Sequence, residues 1–173
     1  MKRRAFTLIE LAAVMAILAV IAAAVAINMR GPISRARARD LPGEIRHFDY
    51  ITRASAQSMD QDLKLLIDIP GGRLRRLDPM TATEIGRPMQ LPTGWRIDQV
   101  RIAGSDEPIR RESAVIACSP AGLTPTYALK LTGPQDRTTW LLVAGLTGES
   151  MEVNNDDSIE EIFQTLSQGH DAG

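Results

Sequence analysis

The side chains that could do chemistry here are few, and their spacing argues against most of it. The 173 residues hold one cysteine, Cys118, and two histidines, His47 and His170. One thiol rules out an intramolecular disulfide framework and any multi-cysteine zinc or iron–sulfur site. Two distant histidines supply little for a metal centre. No phosphate-cradling glycine loop, H-E-x-x-H, C-x-x-C or G-x-S-x-G occurs. Cys118 with His47 is imaginable as a nucleophile and base. Yet Cys118 closes an alternating apolar run, Ala114–Cys118, where a buried small thiol is the simpler reading. Asp60 with Asp62, or Glu160 with Glu161, could serve as paired carboxylates, but nothing flanking either pair would raise a pKa. Asn154-Asn-Asp-Asp offers oxygen ligands of the kind calcium takes, but four adjacent polar residues also make a turn leading into a helix. The expectation is neither enzyme activity nor a cofactor or metal. Arg73, Arg75, Arg76 and Arg87 form a candidate basic patch for nucleic acid. Scarce aromatics and an excess of acidic over basic residues disfavour that use.

The remaining unusual residue is Glu10. It is the one charge in the apolar run Phe6–Ile27, which follows Lys2, Arg3 and Arg4. As a helix those 22 residues reach roughly 33 Å, about the hydrocarbon thickness of a bilayer. A carboxylate inside such a helix costs on the order of 2.5–3.5 kcal/mol on insertion scales, so it needs a partner. A mean hydropathy of −0.09 conceals this piling of apolar residues at the start. Three arrangements compete. One is a secretory signal with a small-residue site at Ala24-Val25-Ala26, and another is a plain anchor with Glu10 near the headgroups. The third takes Glu10 and its neighbours as a unit. Positive charge lies on both sides of the span, with Arg30, Arg35, Arg37 and Arg39 after it, so charge asymmetry alone does not orient it.

The stretch Arg3-Arg-Ala-Phe-Thr-Leu-Ile-Glu-Leu, followed by a long Ala/Val/Ile/Leu helix, resembles the N-terminus of type IV pilin-like proteins. The resemblance implies that a prepilin peptidase cuts between Ala5 and Phe6 and methylates the new amine of Phe6. Ala5 stands where the family usually has glycine, and alanine is small enough for a tight protease subsite. It also implies that the Glu10 carboxylate of one subunit pairs with the Phe6 ammonium of another during assembly. The N-terminus would face the cytoplasm, with the rest in the periplasm of a bacterial inner membrane. Partners would be other pilins or pseudopilins, the peptidase, an inner-membrane assembly platform and exported proteins.

Those residues need elements to carry them. Leu41, Ile45, Phe48, Thr52, Ser55 and Met59 recur at steps of three or four, which predicts an amphipathic helix over Ile33–Met59, with Asp49 and Arg53 as an i,i+4 pair on its polar side. Gly31-Pro32 and Pro42-Gly43 should kink or break it. After Met59 the period becomes two. Strands are predicted at Leu63–Ile69, Arg73–Leu77, Trp95–Ile102, Ala114–Cys118, Thr126–Thr132, Thr139–Ala144 and Glu149–Val153, with residues 78–94 as loop. Pro70-Gly-Gly and Gly145-Leu-Thr-Gly mark turns. Ser158-Ile-Glu-Glu fits a capping box for a short helix, Ile159–Ser167. The expected class is α+β: a long N-terminal membrane-spanning helix packed on an antiparallel sheet or sandwich head. The expected division is a leader 1–5, an assembly helix 6–29, a stalk 30–59 and a head 60–173. The order Ile116-Ala-Cys-Ser-Pro-Ala-Gly, an alternating strand, Trp140-Leu-Leu-Val and Thr147-Gly148 is similar to H-type minor pseudopilins of type II secretion systems, with minor type IV pilins as close relatives.

Overall fold

The computed structural model describes residues 12, 14–20, 41–105 and 107–168. The chain divides into two units, Met1–Arg39 and Asp40–Gly173. In the first, residues 14–20 are helical (α1) and expose Val14, Met15, Ile17, Leu18 and Val20. No helix among the described residues is long and apolar enough to cross a membrane. Ala5, Phe6, Glu10, the Gly31-Pro32 step and most of the expected assembly helix lie outside the described residues, as does His170.

The second unit opens with α2 (Leu41–Met59). Pro42 sits in its first turn, where a missing N–H leaves no helical bond unmade. The predicted kink at Pro42-Gly43 therefore falls at the start of the described helix. Eight strands follow: β1 (Leu63–Asp68), β2 (Arg73–Leu77), β3 (Met89–Gln90), β4 (Arg96–Ile102), β5 (Ser113–Cys118), β6 (Tyr127–Thr132), β7 (Thr138–Val143) and β8 (Ser150–Val153). They form two four-stranded antiparallel sheets, ordered β3-β2-β1-β5 and β4-β6-β7-β8. The expected sandwich is present. The stretch expected as loop, 78–94, contains β3, whose Leu74↔Met89 and Arg73↔Gln90 pairs extend the first sheet by one short strand.

Strict alternation sets the layers. Leu63, Leu65 and Ile67 of β1 point inward with Leu74, Ala114 and Ile116. Leu129, Leu131, Leu141, Val143, Ile97 and Val100 of the second sheet meet them in one core, closed by Leu41, Ile45 and Phe48 of α2. The β6 strand is buried on both faces because α3 (Asp156–Gln168) lies on the outer side, placing Ile159 and Phe163 on Ala128, Trp140 and Leu142. This helix starts three residues before the predicted Ile159. Asn155 accepts the Asp157 N–H through Oδ1, so the Asn-Asn-Asp-Asp run supplies the cap and leaves Ser158 inside the helix. That run leads into a helix, as the turn reading expected.

Candidate functional site

The most developed polar site in the described residues fastens α2 to the head. The sequence places Asp49 and Arg53 one turn apart on a helix. The expectation of a pair on the polar side is corrected: both are buried, at 3% and 7% exposure. The buried stripe of α2 runs through Leu41, Ile45, Phe48, Asp49, Thr52, Arg53 and Ala56, while Met59 is exposed. A helix turning 100° per residue drifts off a strict three-or-four count, and the charge pair occupies the positions the drift reaches.

Every donor of the Arg53 guanidinium is used. Nε donates to Asp49 Oδ2 at 2.6 Å. One terminal nitrogen donates to the carbonyls of Gly122 (3.1 Å) and Gly145 (2.7 Å), the other to Thr124 Oγ1 (2.7 Å) and the Ala144 carbonyl (3.4 Å). Tyr127 Oη donates to Asp49 Oδ1 at 2.8 Å. Five donors in a fixed fork are matched by five acceptors on three segments, which is what a buried ion pair needs to repay its desolvation. One turn on, Gln57 donates to the Ala121 carbonyl. A single helix face thus holds both the β5–β6 and the β7–β8 connections. Gly145 is required there, because a Cβ would lie 2.0 Å from the Thr124 carbonyl oxygen.

The electrostatics favour a structural role over proton transfer. Burial, then the Asp49 charge and hydrogen bond, push the Tyr127 phenol well above its ordinary value, so it stays protonated. Burial likewise raises the Cys118 thiol, keeping it from thiolate. Cys118 packs with Ala56 and Leu63. His47 is exposed on α2, nine residues before Ala56 and so roughly 13 Å along the helix axis. The structure does not bring that pair together.

The basic patch is also redrawn. Arg73 and Arg75 lie on the outer side of β2, but Arg76 points inward, 8% exposed, its guanidinium 4.9 Å from the Phe48 ring centroid. Burial draws its pKa down. Arg87 is in the β2–β3 connection.

A second fastening holds α3. Asp156 accepts from Trp140 Nε1 and from Lys130 Nζ, both at 2.6 Å, and Arg101 pairs with Glu160 beside Phe163. The Lys130 bond first, then the Trp140 bond, hold the Asp156 carboxyl below its usual range. Asp156, counted at first among possible calcium ligands, commits its carboxylate to these two donors.

Sequence reasoning paired Asp49 with Arg53 but missed its burial, and it missed Tyr127 altogether. The available signal was the flanking of the pair by Phe48, Thr52 and Ala56 on one face, together with a tyrosine opening the strand Tyr127–Thr132 beside Ala128 and Leu129.

Residues 1–26 match the family model of the prokaryotic N-terminal methylation motif. Among solved structures, the chain is similar to the minor pseudopilin EpsH from the type 2 secretion system of Vibrio cholerae. The TM-score is 0.50 at 13% identity, over 69% of this chain and 96% of that one. A second structure of EpsH gives a TM-score of 0.47 at 13% identity, over 65% and 89% of the two chains. No curated protein matches the chain. The head has the fold of a minor pseudopilin, and the motif ahead of it is the pilin-like methylation motif.

Proposed function

We propose that this pilin-like chain is a minor pseudopilin of a type II secretion system, of the H type, assembled from the bacterial inner membrane into a short periplasmic fibre that helps export proteins. The observation that carries the reading is the methylation motif over residues 1–26 joined to a head with the EpsH fold. Fibre subunits of this kind are structural, and the work assigned to this one is mechanical.

In this reading the prepilin peptidase removes residues 1–5 and methylates Phe6. The segment 6–29 spans the membrane with the head in the periplasm, and residues 30–59 form the stalk below a head of 60–173. The exposed Val14, Met15, Ile17, Leu18 and Val20 are what such a helix would turn toward lipid or neighbouring subunits. The Phe6 ammonium and the Glu10 carboxylate of an adjacent subunit would neutralise one another in low dielectric, favouring one axial stagger. The latch at Arg53 would then carry load between stalk and head. The assembly platform and exported substrates complete the partners.

Mass spectrometry of the mature N-terminus tests this. The expected chain begins with N-methyl-Phe6. A chain that retains Met1–Ala5, or one that begins near Ile27, overturns the reading. Glu10→Ala should still insert but be recovered poorly with other fibre subunits in co-purification. Recovery equal to wild type removes the role given to Glu10.

A further inference from the structure

Two buried arginines meet at α2 in opposite states. Arg53 and Arg76 are 7% and 8% exposed. Arg53 spends five donors on five acceptors. Among the described residues, the Arg76 guanidinium makes no ion pair and no hydrogen bond. Its Cζ lies over the Phe48 ring, 4.9 Å from the centroid. A ring contact supplies no lone pair, so the N–H donors stay unspent. Gly86 packs so closely that a Cβ there would lie 2.6 Å from Nη2. The Ile85 N–H donates to the Arg76 carbonyl at 2.8 Å, which holds this connection against β2. Nε is enclosed, whereas both terminal nitrogens reach the surface. Glu44, one turn before Phe48, and Glu84, two residues before Gly86, do not pair with them.

We propose that the open end of Arg76 is a carboxylate-binding site, filled by an acidic side chain of a different fibre subunit packed alongside α2. Two terminal N–H groups side by side match the two oxygens of one carboxylate. The Phe48 ring and the Gly86 backbone hold the guanidinium in advance, so little rotamer freedom remains to be lost on binding. Unmatched donors on a buried cation cost stability, and an incoming carboxylate restores it. One guanidinium binds a free anion only weakly. The carboxylate must therefore be carried on a chain already held next to this one, which raises its effective concentration. The carrier's identity as a fibre subunit rests on the function proposed above; the site itself does not.

The unassembled full chain in detergent micelles tests the site, whatever happens at Phe6. Acetate replaces chloride at constant ionic strength and pH while amide 1H–15N spectra are recorded. The Ile85 and Gly86 amides should shift saturably, half-way at roughly 10–80 mM, the strength of one charge-assisted hydrogen bond. The exposed Arg110 and Arg111, which make no ion pair among the described residues, should show no saturation. Arg76→Lys keeps the charge without the fork and should weaken binding at least about fivefold. Arg76→Met should abolish it and unfold no more than about 4 °C below wild type. No saturable shift, undiminished binding by Arg76→Lys, tighter binding of phosphate than of acetate, or a larger drop in unfolding temperature would each overturn the site. In cells, Arg76→Met should be processed at Phe6 yet recovered with other fibre subunits about fivefold less well than wild type. Equal recovery would overturn the assignment of the carboxylate to a fibre subunit. A wild-type chain left unprocessed at Phe6 would instead remove the fibre reading and leave the acetate result standing.

Discussion

Two helices are attached to the same sandwich in different ways. The helix α2 adds to its core residues Leu41, Ile45 and Phe48 a buried ion pair whose hydrogen bonds are complete, reaching two loops and Tyr127. The helix α3 is held by an apolar pair, Ile159 and Phe163, with its charged contacts at the rim. The first arrangement fixes rotation and axial position at once, because five directional bonds tolerate little sliding. The second fixes the face that is buried and leaves the helix free to peel away without exposing the main core. A subunit loaded through α2 has reason to be stiff there and not at α3.

Substitutions can break this contrast, starting with the largest effect. Arg53→Ala leaves the Asp49 carboxylate buried without its counter-charge. We expect a loss of about 3–5 kcal/mol in unfolding free energy, measured by denaturant titration, and a global transition. Replacing both residues together, as Asp49→Leu with Arg53→Met, should recover part of the loss. Recovery stays incomplete because the Gly122 and Gly145 carbonyls lose their donors. Phe163→Ala should cost about 2–3 kcal/mol, and the loss should appear as local opening. Hydrogen exchange then speeds up in α3 and at Trp140 while β1 and β6 stay protected. Equal exchange across both sheets would show that α3 belongs to the main cooperative unit.

Much of this organisation is legible in the chain. Seven of the eight strands are legible to within a residue or two: β1, β2 and β5 by period-two alternation, which one buried face imposes, and β6 and β7, buried on both faces, by their apolar runs between turn residues. The two-residue β3 has no room for a pattern. The α3 start was misplaced because Ser158-Ile-Glu-Glu satisfies a local rule equally well, and the choice of Asn155 depends on Trp140 and Lys130, contributed by other strands. The latch was half visible. Spacing gives Asp49–Arg53, but the acceptors at 122, 124, 144 and 145 come together only through the sheet order. For residues 1–10 the position is reversed: Glu10 and its neighbours are informative as sequence and lie outside the described structure.

Two smaller effects sharpen the comparison. Tyr127→Phe removes one bond to Asp49 while Arg53 remains, and should cost about 1–2 kcal/mol by thermal or denaturant unfolding. The attachment of α3 should instead respond to acid. Because the folded Asp156 carboxyl lies below its usual value, its contribution is complete above the unfolded pKa, and it is lost as pH falls through the lower folded value. In a Trp95→Phe background, Trp140 fluorescence should change in strong acid before β-sheet circular dichroism is lost. A Trp140 signal that is flat until global unfolding would deny α3 a separate transition.

The lone thiol in the third small cluster, between Ala56 and Leu63, adds a practical consequence. It is fully enclosed and poorly ionised, so a thiol reagent can reach it only while strand β5 and the end of α2 part. The rate at which Cys118 is modified is therefore a clock for the opening of this seam, readable in an unaltered molecule under tension or at rest.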